Sequence, residues 1–311
     1  MPSMLTGKDI LHVKDLKLEN VSLILETAGR YENVMSLGGR LNNMAGKVLA
    51  TLFFEPSTQT RLTFETAMLL MGGHVVSVTD TNTSNSAVKG ERLYDTGKMI
   101  DGYANVAVIR HMAEGSAREL ADGACVPVIN GGDGAGQHPT QALMDLYTIQ
   151  KERGRLNNLT VTLAGDLKNG RTVHSLSWLL GKYGPRFYFV SPPELKMPEE
   201  ITRALQSDGI EIIETLNLEE AAGKSDVLYM TRVQKERFIN SSEYERLKGI
   251  YVVNNEFLRK AKRGITILHP LPRVDEIARE VDAYEGAAYF RQAANGLPIR
   301  MAIIALVTGC E

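Results

Sequence analysis

Short runs of apolar and β-branched residues recur along the chain, with helix-like stretches between them. Nine of these runs predict β-strands: Val48–Phe54, His74–Val78, Val106–Ile109, Val126–Ile129, Thr160–Ala164, Phe187–Val190, Val227–Tyr229, Tyr251–Val253 and Ile265–Leu268. Apolar strands that alternate with helical segments are typical of parallel sheets buried on both faces. The pattern therefore predicts an α/β fold in which each parallel sheet is flanked by helices.

The predicted strands fall into two groups, four before about residue 135 and five after about residue 158. A helix from Pro139 to Arg153, closed by Gly154, is predicted between the groups, and a last helix from about Gln292 to Thr308 follows the final strand. A length of 311 residues suits two domains of about 150 residues each. We expect one domain at 1–138 together with the C-terminal helix at about 290–311, a second at 139–289, and interdomain helices joining them.

Composition and charge exclude several classes of protein. The formal net charge is -2 and 23% of the residues are charged, so the sequence gives no sign of a nucleic-acid-binding surface. Cys125 and Cys310 lie far apart, and neither the cysteines nor the histidines have the spacing of a metal site. The sequence shows neither a signal-peptide pattern nor an apolar run of the roughly 18 residues that a membrane span needs. We expect a cytoplasmic protein with no membrane or nucleic-acid partner and no metal.

Polar residues of a restricted set follow six of the predicted strands. Hydroxyls, arginines, histidines and glutamines recur in the segments 55–61, 110–111, 130–141, 165–172, 231–234 and 269–273. In open parallel sheets, ligands bind beyond the carboxyl ends of the strands. Because all six segments belong to that end of a sheet, the pattern predicts a ligand-binding cleft there.

The segment from Ser57 to Thr60 precedes a predicted helix at Leu62–Met71. Free backbone N–H groups at a helix N-terminus, with hydroxyls added, form a site for phosphate. Serine and threonine also cap helices without binding any ligand. The motif alone leaves both interpretations open.

Nucleotide binding is disfavoured by the segment from Gly165 to Thr172. It resembles a phosphate-binding loop, but Arg171 stands where that loop carries lysine. The glycine pattern of a dinucleotide site is also missing, and no acid follows Val190 to hold a ribose. Arg171 and Arg232 have the forked donors that bind carboxylates, although either could be an ordinary surface charge. His138, at a predicted helix start, could similarly be structural or point into the cleft.

Five long motifs resemble those of the transcarbamylase family, and the resemblance runs over nearly the whole chain. The motifs are Phe53–Arg61, His138–Asp145, Gly165–Ser175, Tyr229–Arg237 and His269–Glu276. The last three resemble the aspartate-specific members. This resemblance implies that the ligands are carbamoyl phosphate and L-aspartate and that no cofactor is needed.

The resemblance also implies a role for individual residues. Ser57, Thr58 and Thr60 would hold the phosphate, and Thr60, Arg110 and His138 would polarise the carbonyl of carbamoyl phosphate. Gln141, Leu271 and Pro272 would bind the carbamoyl amide. Arg171, Arg232 and Gln234 would bind the carboxylates of aspartate. Lys89 would reach into the site of an adjacent subunit, which implies a homotrimer; regulatory chains or other pathway enzymes could be further partners.

Three positions depart from the family pattern. Gln59 stands where the family carries an arginine, Asn85 where serine is usual, and Met112 where proline is usual. The arginine is expected to neutralise the leaving phosphate, so we expect Gln59 to weaken activity. Two alternatives stay open: an active aspartate carbamoyltransferase, and a weak or inactive homologue that serves as a binding or assembly subunit. Ornithine as acceptor is disfavoured, because it has one carboxylate and needs no second arginine.

Overall fold

The computed structural model describes residues 3–79, 91–235, 238 and 240–311. The helices are α1 (Leu18–Ser36), α2 (Thr58–Leu70), α3 (Leu93–Ile100), α4 (Ser116–Gly123), α5 (Pro139–Arg153), α6 (Arg171–Gly181), α7 (Glu199–Ser207), α8 (Leu218–Lys224), α9 (Ser241–Leu247), α10 (Asn255–Lys260) and α11 (Tyr289–Thr308). The strands are β1 (Val48–Phe53), β2 (His74–Val78), β3 (Val106–His111), β4 (Val128–Asp133), β5 (Thr160–Ala164), β6 (Arg186–Val190), β7 (Glu211–Thr215), β8 (Val227–Met230) and β9 (Thr266–Leu268).

The chain divides into two compact units. Unit 1 comprises Met1–Leu143 and Asn295–Glu311, and unit 2 comprises Met144–Ala294. Helices α5 and α11 each run from one unit into the other, since the boundaries fall inside both. In the part of the chain that the structure describes, no helix is long and apolar enough to cross a membrane.

Unit 1 contains a four-stranded parallel sheet in the order β2-β1-β3-β4. Apolar side chains of β1 and β3, such as Leu52 and Ile109, are buried and pack with Leu93 of α3 and Leu120 of α4. This burial explains why the central strands are near-continuous apolar runs.

Unit 2 contains a five-stranded parallel sheet in the order β7-β6-β5-β8-β9. Ala164 of β5, Leu228 of β8 and Ile267 of β9 are fully buried and share a core with Ala221 of α8 and Phe257 of α10. The predicted α/β fold, with one helix-flanked parallel sheet in each of two domains, is therefore confirmed.

In both sheets the strand order reverses beside the first strand. β1 lies between β2 and β3, and β5 lies between β6 and β8. Ligands in open α/β sheets bind at this kind of reversal, beyond the carboxyl ends of the strands. The loops after β1 and β3, and those after β5 and β8, are thus in the position where a site is expected.

One predicted strand does not form, and one strand of the structure was not predicted. The run Tyr251–Val253 forms no strand: Val253 makes only an isolated bridge with Ile277, and helix α10 starts soon afterwards. The strand Glu211–Thr215 was not predicted, because Glu211 and Glu214 interrupt its apolar residues. It lies at the edge of its sheet, where charged side chains are compatible with a strand.

Two element boundaries differ from the prediction by four residues, and the others by fewer. Strand β4 covers Val128–Asp133 instead of Val126–Ile129. Its buried polar end is stable because the Asn130 amide donates to Leu11 O and to Asp133 Oδ1, both at 3.0 Å, and Asn130 Oδ1 accepts from Gly132 N–H. Helix α2 begins at Thr58, four residues before the predicted start, because Ser57 caps it.

Candidate active site

Ser57 caps helix α2 at the carboxyl end of β1. Its Oγ accepts a hydrogen bond from Thr60 N–H at 3.4 Å and donates to Thr60 Oγ1 at 3.0 Å. Thr60 is buried, whereas Thr58 and Gln59 are exposed in the first turn. The structure therefore shows the capping role, and the exposed first turn leaves N–H groups and hydroxyls available to an anion.

Arg110 lies beside this turn, because its Cα pairs with that of Phe53 across β1 and β3. Its Nη2 donates to Glu55 Oε1 at 2.6 Å, and its Nη1 donates to Gly131 O at 3.2 Å. The side chains of Arg110 and Glu55 are 12% and 20% exposed, so their ion pair is largely shielded from water. The guanidinium is held in place at the end of the sheet where Ser57 begins its helix.

His138 and Gln141 lie at the start of α5, also in unit 1. Both are buried, and His138 O accepts from Gln141 N–H at 3.1 Å, which starts the helix. Pro139 occupies the first helical position, where its missing N–H costs no hydrogen bond. The loop before His138 is fastened by the carboxylate of Asp133, which accepts from Gln137 N–H at 2.9 Å.

In unit 2, Asp166 joins the loop after β5 to the loop after β8. It is fully buried, and its Oδ1 accepts from Asn169 N–H at 3.0 Å while its Oδ2 accepts from Gln234 N–H at 3.5 Å. The Gln234 side-chain amide donates to Asn169 O at 3.1 Å. Arg171 begins α6 two residues after Asn169, and Arg232 precedes Gln234 by two. The two arginine-bearing loops are therefore bonded to each other.

Leu271 and Pro272 follow β9 and are joined by a cis peptide bond. Leu271 N–H donates to His269 Nδ1 at 2.8 Å, so the ring proton is on Nε2, which donates to Glu276 Oε1 at 2.7 Å. Burial raises the pKa of the Glu276 carboxyl, but hydrogen bonds from His269 and nearby N–H groups outweigh it. The pKa of Glu276 therefore lies below its ordinary value.

The predicted site residues are divided between the two units. Unit 1 holds Ser57, Thr58, Gln59, Thr60, Arg110, His138 and Gln141, and unit 2 holds Arg171, Arg232, Gln234, Leu271 and Pro272. Lys89 and Asn85 lie outside the described residues. In the described ranges, no three His, Cys, Asp or Glu side chains are grouped so that they could hold a metal ion.

Sequence reasoning missed the acidic residues that hold the site loops. Glu55, Asp133, Asp166 and Glu276 each accept hydrogen bonds from a predicted site residue or from the loop that carries one. Asp133 is the last residue of β4, and Glu55 and Asp166 lie two residues beyond the ends of β1 and β5. Glu276 lies in the segment that follows β9. An acid at such a position, next to arginines, is a signal that could have pointed to this role.

Family models of a carbamoyl-transferring enzyme match both halves of the chain. The carbamoyl-P binding domain of aspartate/ornithine carbamoyltransferase matches residues 8–151, and the Asp/Orn binding domain matches residues 157–307. The chain therefore belongs to the aspartate/ornithine carbamoyltransferase family.

Individual relatives match the chain along almost its whole length. The aspartate carbamoyltransferase catalytic subunit of Thermococcus kodakarensis is 49% identical over 303 residues, which cover 97% of each chain. Aspartate transcarbamoylase from Trypanosoma cruzi, solved with carbamoyl phosphate and aspartate, superposes with a TM-score of 0.93 at 38% identity over 99% of both chains. The catalytic subunit from M. jannaschii gives a TM-score of 0.88 at 46% identity over 96% of both chains.

Proposed function

We propose that this chain transfers the carbamoyl group of carbamoyl phosphate to L-aspartate, giving N-carbamoyl-L-aspartate and phosphate, in the cytoplasmic synthesis of pyrimidines. The observation that carries the choice of acceptor is the bonded pair of loops in unit 2, from Asn169 to Gln234. These loops bear Arg171 and Arg232. Two arginines suit a dicarboxylate acceptor better than ornithine, which has one carboxylate.

In this proposal carbamoyl phosphate is bound by residues of unit 1 together with Leu271 and Pro272. Ser57, Thr58 and Thr60 hold the phosphate at the N-terminus of α2, where backbone N–H groups and the helix dipole favour an anion. Thr60, Arg110 and His138 donate to the carbonyl oxygen. The carbamoyl amide is bound by Gln141, Leu271 and Pro272. The shielded Glu55–Arg110 pair supports this arrangement, because it fixes one donor before the ligand arrives.

The chemistry needs position and charge stabilisation more than acid–base groups. The α-amine of aspartate attacks the carbonyl carbon, a tetrahedral oxyanion forms, and the C–O bond to phosphate breaks. Holding two anions in reacting geometry, together with preorganised donors at the developing oxyanion, lowers the barrier. This explains why arginine, histidine and hydroxyl side chains dominate the predicted set.

Gln59 is the residue of the proposed site that we expect to lower the rate. It lies exposed in the first turn of α2, where a glutamine donates a hydrogen bond but brings no charge to the leaving phosphate. Losing one preorganised donor costs about 10²–10³-fold in rate, and arginines at phosphoryl groups can contribute about 10³–10⁵-fold. We infer weak turnover. The second candidate, a binding or assembly subunit with little or no activity, rests on this same residue.

We also propose that the chain works as a homotrimer in which Lys89 enters the site of the adjacent subunit. Exposed apolar side chains on α2 and β2 of unit 1, Leu62, Leu69, Leu70 and Val76, support self-association. Regulatory chains or other pathway enzymes are further candidate partners. Sedimentation should give a particle of three chains, and a stable monomer with full activity would refute the shared site.

The test is formation of carbamoyl aspartate by the native chain, Gln59→Arg and Gln206→Arg. Gln206 is an exposed glutamine on α7 of unit 2, so it controls for the added charge alone. We expect Gln59→Arg to gain two or more orders of magnitude and Gln206→Arg to gain nothing.

High activity in the native chain would refute the effect assigned to Gln59. If neither the native chain nor Gln59→Arg turns over while both bind carbamoyl phosphate, the binding-subunit alternative is correct.

A further inference from the structure

Asp133 is a buried carboxylate at the end of β4, only 7% exposed. Its Oδ1 accepts from Gln137 N–H at 2.9 Å and from the Asn130 amide at 3.0 Å. Its Oδ2 accepts from Gly115 N–H at 2.9 Å. The carboxylate thus contacts two separate loops through different oxygens.

Each of these loops adjoins a residue of the proposed carbonyl site. The first runs from Met112 to Gly115 and follows the end of β3, which carries Arg110; the second runs from Gly134 to Gln137 and directly precedes His138. Gly115, at the end of the first loop, is the N-cap of α4. Asp133 is therefore a single side chain through which the two loops are connected.

Backbone hydrogen bonds make the connection specific. Gly134 N–H donates to His111 O at 3.0 Å, which joins the second loop to the end of β3. Asp133 N–H donates to Gln137 O at 3.2 Å, and Gly136 N–H donates to Asp133 O at 2.9 Å, which closes the second loop on Asp133 itself. Few other arrangements of the second loop would keep all these bonds.

Both oxygens of the Asp133 carboxylate accept hydrogen bonds, which the side-chain amide of an asparagine could not do. The three hydrogen bonds to the carboxylate come from Gly115 N–H, from Gln137 N–H and from the Asn130 side-chain amide. An asparagine has one accepting oxygen and one donating nitrogen. In Asp133→Asn, either Gly115 N–H or Gln137 N–H must therefore face another donor, and one loop is released.

We propose that Asp133 is a positioning residue that fixes Arg110 and His138 with respect to each other at the carbonyl of carbamoyl phosphate. This inference rests on the proposed function. It concerns orientation only, because both oxygens of the Asp133 carboxylate already accept hydrogen bonds from groups of the protein.

The test compares two ligands of the same site in calorimetric titrations. Inorganic phosphate needs only the N-terminus of α2, whereas carbamoyl phosphate also needs Arg110 and His138. We expect Asp133→Asn to weaken binding of carbamoyl phosphate by about 10–100-fold, the size of a lost hydrogen bond from a charged donor, and to change phosphate binding by less than about threefold. Where turnover is measurable, kcat should fall with little change in the KM for aspartate.

Asp101→Asn is the matched control. The Asp101 carboxylate accepts from Cys125 N–H at 2.7 Å and from Val126 N–H at 3.0 Å, just before the opposite end of β4. Both N–H groups donate to the same oxygen, Oδ1, so asparagine can keep both bonds while the carboxylate charge in unit 1 is removed. The replacement should therefore leave both affinities unchanged. Thermal unfolding of both variants shows whether a loss of affinity reflects a loss of folded protein.

The outcomes separate the inference from the function on which it rests. Equal weakening of both ligands, or no change in either, in a folded Asp133→Asn chain would overturn the positioning role. Failure of the native chain to bind carbamoyl phosphate would overturn the proposed function, and the role of Asp133 with it. A selective loss confined to Asp133→Asn supports both.

Discussion

Gly165, directly after β5, is a position where a single methyl group should disturb aspartate binding. Its φ is +112°, a region that side-chain-bearing residues rarely adopt. A Cβ at this position would lie 2.2 Å from Thr231 O and 2.6 Å from Thr231 Oγ1. Thr231 begins the loop that carries Arg232 and Gln234, so Gly165→Ala acts on the proposed aspartate-binding side chains through the backbone.

The size of the effect follows from these distances. The Thr231 carbonyl must move by about 1 Å to reach an ordinary contact of 3.4 Å, and a displacement of that size can cost about 10²-fold in rate. Backbone strain adds about 1–3 kcal/mol, and overpacking adds about 1–3 kcal/mol. We therefore expect Gly165→Ala to lose about 2–6 kcal/mol of unfolding free energy and to lower kcat/KM for aspartate by about 10–100-fold.

Urea denaturation measures the unfolding free energy, and aspartate saturation curves measure kcat/KM. The variants are made in the native chain or in Gln59→Arg, whichever turns over faster. Gly209→Ala is the control, because its φ is +80° and no heavy atom lies within 4 Å of the added Cβ. It should lose only about 1–2 kcal/mol and keep its kcat/KM. If the two variants behave alike, the contact with Thr231 does not have the effect argued here.

Two further predictions concern Ser57 and Glu276. Ser57→Ala should lower the unfolding free energy by about 0.5–1 kcal/mol, because the cap bond is long at 3.4 Å. Ser57→Asn should keep the cap; if it also keeps phosphate affinity in titration, Ser57 is a cap alone. The folded-state pKa of Glu276 is lowered from 4.5, so its stabilisation is complete above that value and disappears as the pH falls through the lower, folded-state pKa. In thermal melts from pH 6 to pH 2, the advantage of the native chain over Glu276→Gln should shrink; a constant difference would refute this.

The sequence predicts best where local signals and burial agree. Helix α5 runs from Pro139 to Arg153 as expected, because proline marks its first turn and Gly154, with a φ of +69°, ends it. The inner strands are found because both of their faces are buried. The edge strand β7 is missed because Glu211 and Glu214 are exposed. An edge strand can form without a continuous apolar run, so it lacks the signal by which the inner strands are found.

The site was less predictable than the fold, for a different reason. The arginines and hydroxyls stand in long motifs and could be recognised one by one. The acids that hold the loops act through contacts between distant segments, as Asp166 does with Gln234 and Asp133 with Gly115. Neither local propensity nor hydrophobic period contains that information, so their roles emerge only from the three-dimensional structure.

The division of the chain has a consequence for the order in which the protein can form on the ribosome. Unit 1 is discontinuous, and its last segment, Asn295–Glu311, includes a fully buried stretch from Met301 to Leu306. This segment bonds to the N-terminal region, for example through Gly7 N–H to Val307 O at 2.8 Å.

The first 143 residues therefore lack part of their core until residues 295–311 have been made, whereas unit 2 is continuous and complete once residue 294 has emerged. Domains usually fold in the order of synthesis. Here the part of unit 1 that is synthesised before unit 2 must wait, with apolar surface uncovered, until residues 295–311 have been made.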